Sequence, residues 1–265
     1  MNWRPRGHAF RRTEESWGRL HFWAPELFKH RDKFYLHFTA NHAERGKPPI
    51  RRVVLAEGDS PLGPFREIKA PWFETEFDTI DGHVFRDRDG QLYLYSVYLP
   101  KPPKTEAFQI HVRKLSDDLT PSAESTLCIT ATEPWEGKHV NEGPFVIRHG
   151  DDYLLTYSGQ GYTSPNYAVG VATAKSPLGP WKKSADGPIL KRAPGVSGPG
   201  HHSFIESPDG KEMFIVYHVH KFIDRPGDPR VLAMDRVKIV DGEVPTMKVT
   251  GPTTQPQRVP SGSTR

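Results

Sequence analysis

The sequence contains a single cysteine, Cys128, among 265 residues. One thiol excludes an internal disulfide framework and any cysteine-based metal centre. Its ordinary role is that of a small buried hydrophobe. No apolar run approaches the roughly 20 residues that a membrane-spanning helix needs, so no membrane partner is expected. Residues 1–20 are polar and basic and lack the apolar segment of a signal peptide. Secretion or export to a periplasm is therefore expected only if the natural start lies upstream of Met1. A clustered basic face is missing as well. The formal charge is +4, but Lys and Arg are interspersed with Asp and Glu, so no nucleic-acid partner is expected. Finally, no stretch sustains a helical apolar period over three turns.

What is present points to strands. The chain has 23 Gly and 26 Pro, which break up helices, and 14 Phe, 9 Tyr and 6 Trp, which favour strands. Turn sequences such as "DGQ", "PDGK", "DGEVP" and "SPLGP" punctuate the whole length. An all-β fold is predicted.

A repeat then emerges. "RDKFYLHF", "DGQLYLYS", "GDDYLLTY" and "GKEMFIVY" share a turn followed by an aromatic–aliphatic strand. Aligned on Phe34, Leu92, Tyr153 and Met213, they recur at about 60 residues. A further strand follows each: "RRVVLAEG", "FQIHVRKL", "YAVGVATA" and "RVLAMDRV". The hexapeptide "SPLGPF" returns as "SPLGPW" two repeats later. A period of this length, with several short strands per unit, suits the blades of a β-propeller. A β-sandwich or jelly roll would not produce such even spacing.

Each repeat opens on a short motif that runs into its first strand: "WAPELF", "IDGHVF", "NEGPFV" and "GHHSFI". In a propeller the first strands line the central channel, so residues one period apart become neighbours. That expectation places Asp81, Glu142 and His201 at matching register around one pit. Carboxylates at strand starts often only accept hydrogen bonds from turn amides. Two of them heading hydrophobic strands point instead to a shared function, since a buried carboxylate is costly unless it is partnered. His201 and His202 stay open between structural, substrate-binding and metal roles; one His is thin support for a metal. Trp23, Trp135, Tyr162 and Tyr167 are candidate sugar-facing aromatics, with core packing as the alternative for each.

The motifs "WAPELFKHRDKFYLHFTA", "IDGHVFRDRDGQLYLY", "NEGPFVIRHGDDYLLTYS" and "GPGHHSFIESPDGKEMFIVYH" resemble the successive blades of glycoside hydrolase family 43. The resemblance implies a five-bladed propeller that hydrolyses arabinose- or xylose-containing plant glycans with inversion. It further implies Glu142 as general acid, Asp81 as the carboxylate that tunes its pKa, and Trp23 near the sugar. His201 would bind substrate or help hold a central calcium through water, and Arg230 would contact substrate or the acid. No cofactor is implied as a requirement. Inversion needs an acid and a base about 6.5–9.5 Å apart to admit the attacking water. The acid must stay protonated near neutral pH, which a nearby carboxylate promotes.

One part of the pattern is absent. The resemblance puts the general base, an Asp, one period before "WAP", upstream of Met1. The expected layout is a single propeller domain over 1–265, with 1–20 as a remnant of the first blade. Further blades are expected at about 21–75, 76–137, 138–195 and 196–250, and a tail at 251–265. "NWRPRGHAF" reads as the outermost strand of that first blade. Three explanations remain open: a natural polypeptide that extends upstream, a chain that has lost its base and only binds sugar, or a four-bladed closure that recruits another carboxylate. Asp78 is a poor substitute, because it shares a blade with Asp81.

Overall fold

The structure, a computed structural model, describes residues 4–100, 107–137 and 139–263. Among these, sixteen strands form four four-stranded sheets, each laying its strands side by side in chain order. The first sheet comprises β1 (Leu20–His30), β2 (Lys33–His42), β3 (Ile50–Gly58) and β4 (Arg66–Lys69); the second, β5 (Asp78–Arg86), β6 (Leu92–Leu99), β7 (Gln109–Leu115) and β8 (Thr126–Thr130). The third comprises β9 (Asn141–His149), β10 (Asp152–Gly159), β11 (Ala168–Ala174) and β12 (Lys182–Lys183); the fourth, β13 (Gly200–Glu206), β14 (Met213–His220), β15 (Arg230–Val240) and β16 (Thr246–Val249). The motif repeats map directly onto this order. The opening motifs fall in β1, β5, β9 and β13, and the turn-led apolar strands are β2, β6, β10 and β14. The chain divides into two compact units, residues 1–127 and 128–265, with the division falling within β8.

In the first unit, strand alternation sends neighbouring residues of β3 into different cores. Val53 and Leu55 join Trp72, Val84, Leu92, Leu94, Leu115 and Leu119. Val54 and Ala56 join Leu36, Phe38, Ala40 and Phe65 on the other face, where Ala9, Phe10 and Trp17 complete the packing. The N-terminal segment is therefore a cover on the first sheet. It had been expected as the outermost strand of an earlier blade. Among residues 4–19 the structure shows one isolated parallel bridge, Phe10 to Phe65, and no strand. Residues 1–3 of that expectation lie outside the described residues. The Phe10 ring instead sits 4.7 Å from that of Phe38, where apolar burial outweighs strand pairing.

In the second unit Leu154, Val169, Val171, Leu190, Ile215, Tyr217, Val237 and Met247 form one cluster spanning the third and fourth sheets. A short 3-10 turn, Pro134–Glu136, carries a fully buried carboxylate, Glu136. It is satisfied on every side: Lys183 Nζ lies 2.6 and 2.7 Å from its two oxygens, the Tyr157 hydroxyl donates at 2.8 Å, and the backbone N–H groups of Thr132 and Glu133 donate at 2.8 Å. Burial pushes the Lys183 ammonium below its usual range, and the Glu136 charge opposes that shift.

The repeated hexapeptide forms the same turn twice. The N–H of Gly63 donates to the Ser60 carbonyl at 3.0 Å, and that of Gly179 to the Ser176 carbonyl at 2.9 Å. The Ser60 and Ser176 hydroxyls accept from Leu62 and Leu178 in the same way.

Candidate active site

All four first strands contain the same irregularity. Between Trp23 and Glu26, β1 spends three residues against two of β2, Thr39 to His37. The same extra residue appears between Ile80 and His83, between Glu142 and Phe145, and between Gly200 and Ser203. Each is a one-residue β-bulge. The residue that enters each bulge has positive φ: Ala24 at 45°, Asp81 at 52°, Gly143 at 56° and His201 at 48°. Asp, His and Gly tolerate that conformation better than most residues.

This register corrects one expectation. Asp81 and His201 are equivalent, but the third member of the set is Gly143. Glu142 stands one position earlier, equivalent to Ile80 and Gly200. Because side chains alternate along a strand, one position changes where a group is aimed. Because the bulge is common to all four strands, its position, invisible to spacing alone, reveals the offset.

In the first unit the backbone N–H of Asp81 donates to the Thr39 hydroxyl at 3.0 Å, and both residues are buried. Next to Asp81, the second bulge residue is Gly82, against which the buried His37 ring packs. Glu26, which sequence reasoning missed, accepts from His83 Nδ1 at 2.9 and 3.1 Å, and His37 Nε2 is 3.8 Å away. Burial alone would raise the Glu26 pKa. The charge and hydrogen bonds of His83, with the nearby His37 imidazole, outweigh it and hold the carboxyl at about 2. Trp23 is 39% exposed at the mouth of its bulge.

In the second unit Glu142 accepts a hydrogen bond of 2.7 Å from the Tyr167 hydroxyl. The His201 imidazole lies against Gly143, the residue after Glu142, and the His201 N–H donates to the Ser158 hydroxyl at 2.9 Å. His202 is buried. Its Nε2 donates to Thr156 Oγ1 at 2.6 Å, and that hydroxyl donates onward to the Phe145 carbonyl. Arg230 begins β15, pairs with Asp228 Oδ1 at 2.9 Å, and places its guanidinium 4.7 Å from the Tyr162 ring centroid.

Two aromatic candidates are corrected. Tyr167 is fully buried and hydrogen-bonded, so it walls no sugar. Trp135 is wedged against Gly159, Gly170 and Tyr157, where a Cβ at Gly170 would lie 2.5 Å from its ring. Trp23 and Tyr162 keep exposed faces. Among the described residues no three His, Cys, Asp or Glu side chains converge to hold a metal.

Among the described residues, four sheets with their strands in chain order define an all-β propeller fold with four blades. The sequence description "Glycosyl hydrolases family 43" matches residues 1–244. The chain belongs to that family. It is 34% identical to an extracellular exo-alpha-(1->5)-L-arabinofuranosidase of Streptomyces avermitilis over 79% of its own length and 45% of the relative's. It is 29% identical to alpha-L-arabinofuranosidase B of Pyricularia oryzae, covering 82% of this chain and 46% of that one. The chain thus spans about half the length of these curated relatives. Among solved structures, a thermostable family-43 glycoside hydrolase superposes with a TM-score of 0.90 at 40% identity, covering 97% of this chain and 84% of the other. An endo-1,4-beta-xylanase from Bacteroides thetaiotaomicron gives 0.80 at 31% identity, covering 93% and 80%.

Proposed function

We propose that the protein hydrolyses glycosidic bonds in arabinose- or xylose-containing plant glycans with inversion, outside the cell as the name of the Streptomyces avermitilis relative has it. Glu142 is the general acid that protonates the leaving oxygen. Asp81 is the carboxylate that tunes the pKa of the acid, the role its motif has in the family. Trp23 and Tyr162 offer exposed aromatic faces to sugar rings, and Arg230 holds the Tyr162 face from one side. His201 is a substrate contact next to Glu142. No residue is assigned to the base that activates water. The observation that carries this reading is Glu142 itself, a carboxyl set at a strand bulge and held by a directed hydroxyl, in a chain of this family.

The test uses para-nitrophenyl α-L-arabinofuranoside and β-D-xyloside, and unmodified oligosaccharides, with the wild type and Glu142→Ala. Turnover of oligosaccharide that falls by about 100-fold or more in the variant supports the assignment. Undiminished turnover in Glu142→Ala removes it. Oligosaccharide binding without turnover in the wild type favours instead a sugar-binding propeller. Anomer-resolved NMR of the first product reports whether configuration inverts.

A further inference from the structure

The Tyr167 side chain sits in a slot built for it. A Cβ on Gly200 would come within 2.3 Å of the ring, so only glycine at that position admits it. On the fourth sheet Gly200 pairs with His218, and the His218 imidazole stacks on the Tyr167 ring, 5.4 Å between centroids and 11° between planes. Burial, reinforced by the charges of Arg230, His201 and His220, holds His218 uncharged, with a pKa of about 3. The ring is thus fully buried, and its hydroxyl reaches Glu142 Oε1 at 2.7 Å. A purely structural tyrosine would gain as much by bonding a backbone carbonyl. This one instead bonds the oxygen of the carboxyl assigned to proton transfer.

We propose that Tyr167 is the positioning residue for Glu142: its phenolic O–H donates to Oε1, fixes the rotation of the carboxyl, and leaves the transferable proton on Oε2. The inference rests on the reading of Glu142 as general acid. The proton balance is simple. Neutral Glu142 carries its proton on Oε2 and gives it to the leaving glycosidic oxygen as the C–O bond breaks. The resulting carboxylate keeps the Tyr167 hydrogen bond, which strengthens as the negative charge develops. The bond therefore favours the product side of the proton transfer. Titratable or charged groups around this pair within its unit include His218 against the ring, His201 beside Gly143, and Arg230 and His220 beyond His218.

The experiment compares the wild type, Tyr167→Phe and Glu142→Gln. Glutamate labelled with carbon-13 at the carboxyl gives a Glu142 resonance identified by its loss in Glu142→Gln. Removing a donor to the charged form should move its titration midpoint up by about one pH unit in Tyr167→Phe. In kinetics, Tyr167→Phe should lower kcat about tenfold or more on an oligosaccharide, whose leaving alcohol needs a proton, with KM within about twofold. A dinitrophenyl glycoside, whose leaving group needs none, should lose less than about threefold. Damage to folding would lower both substrates equally. Gly200→Ala, which forces the ring from its slot while keeping the hydroxyl, should reproduce the selective loss.

An unmoved Glu142 titration in Tyr167→Phe overturns the proposal, as do equal losses on the two substrates. Full oligosaccharide activity in Glu142→Gln would overturn the acid assignment first, and the positioning role with it. The titration needs no turnover, so it decides the hydrogen bond even where hydrolysis is slow.

Discussion

Asp81 and His201 hold the same post in two different sheets. Each enters a one-residue bulge with φ near +50°, and each gives its backbone N–H to a hydroxyl on the second strand of the preceding sheet, Thr39 at 3.0 Å and Ser158 at 2.9 Å. The bulge removes the ladder partner of that N–H, and the hydroxyl replaces it. Thr39 and Ser158 are both fully buried.

The hydroxyls are therefore expected to matter for stability. Thr39→Val, which keeps the shape and removes the acceptor, should cost about 1–3 kcal/mol, because a buried N–H loses its partner. Ser158→Ala should cost a similar amount, while Thr39→Ser should lose less than half as much. Urea unfolding at neutral pH measures all three; a Thr39→Val midpoint equal to the wild type would show that water or a shifted backbone takes over.

The bulge backbone makes a second expectation. Gly143→Ala should destabilise by about 1–2 kcal/mol through its positive φ, since the added Cβ meets His201 only at ordinary contact distance, 3.4 Å. Ala24→Gly should be close to neutral or slightly stabilising, because relief of the same strain offsets the added freedom of the unfolded chain. Thermal melts test both: a melting temperature unchanged in Gly143→Ala, or clearly lowered in Ala24→Gly, would contradict the strain.

The Glu26–His83 pair should respond to acid. A carboxyl whose folded pKa is depressed to about 2 from 4.5 contributes stability that is present above pH 4.5 and is lost as pH falls toward 2. The size is about 2–4 kcal/mol by that shift. Glu26→Gln should flatten this part of the stability profile. Denaturant unfolding between pH 6 and pH 2 in both proteins tests it, and parallel profiles would contradict it.

The Lys183–Glu136 pair should show strong coupling. Lys183→Met leaves Glu136 charged and buried, with an expected cost of about 3–5 kcal/mol. Adding Glu136→Gln should recover part of that loss. A double-mutant cycle by chemical unfolding gives the interaction energy directly; strict additivity would mean that the two groups are not coupled.

Much of this architecture can be read from residues alone. The second strand of every sheet announces itself by a turn followed by an aromatic–aliphatic run, and the twin "SPLGP" segments forecast twin turns. The bulges escaped because even spacing cannot reveal one inserted residue. Their signal was present in Pro25 and Pro144, each the second bulge residue of its strand. A proline there has no N–H to give a ladder and is tolerated at a bulge. Tyr167 reads as a sugar platform by residue type; its slot depends on Gly200 and on His218, which no local pattern links to it. Glu26 stayed hidden for a similar reason, since its partner His83 lies 57 residues away.

The four bulges carry four different entrants, alanine, aspartate, glycine and histidine, on one backbone shape. At two of them the shape is secured from outside, by an oxygen on an adjoining sheet. The occupant of such a socket is thus free to change without rewriting the strand beneath it. A new side chain can be tried at one bulge while the sheet that carries it stays as it is.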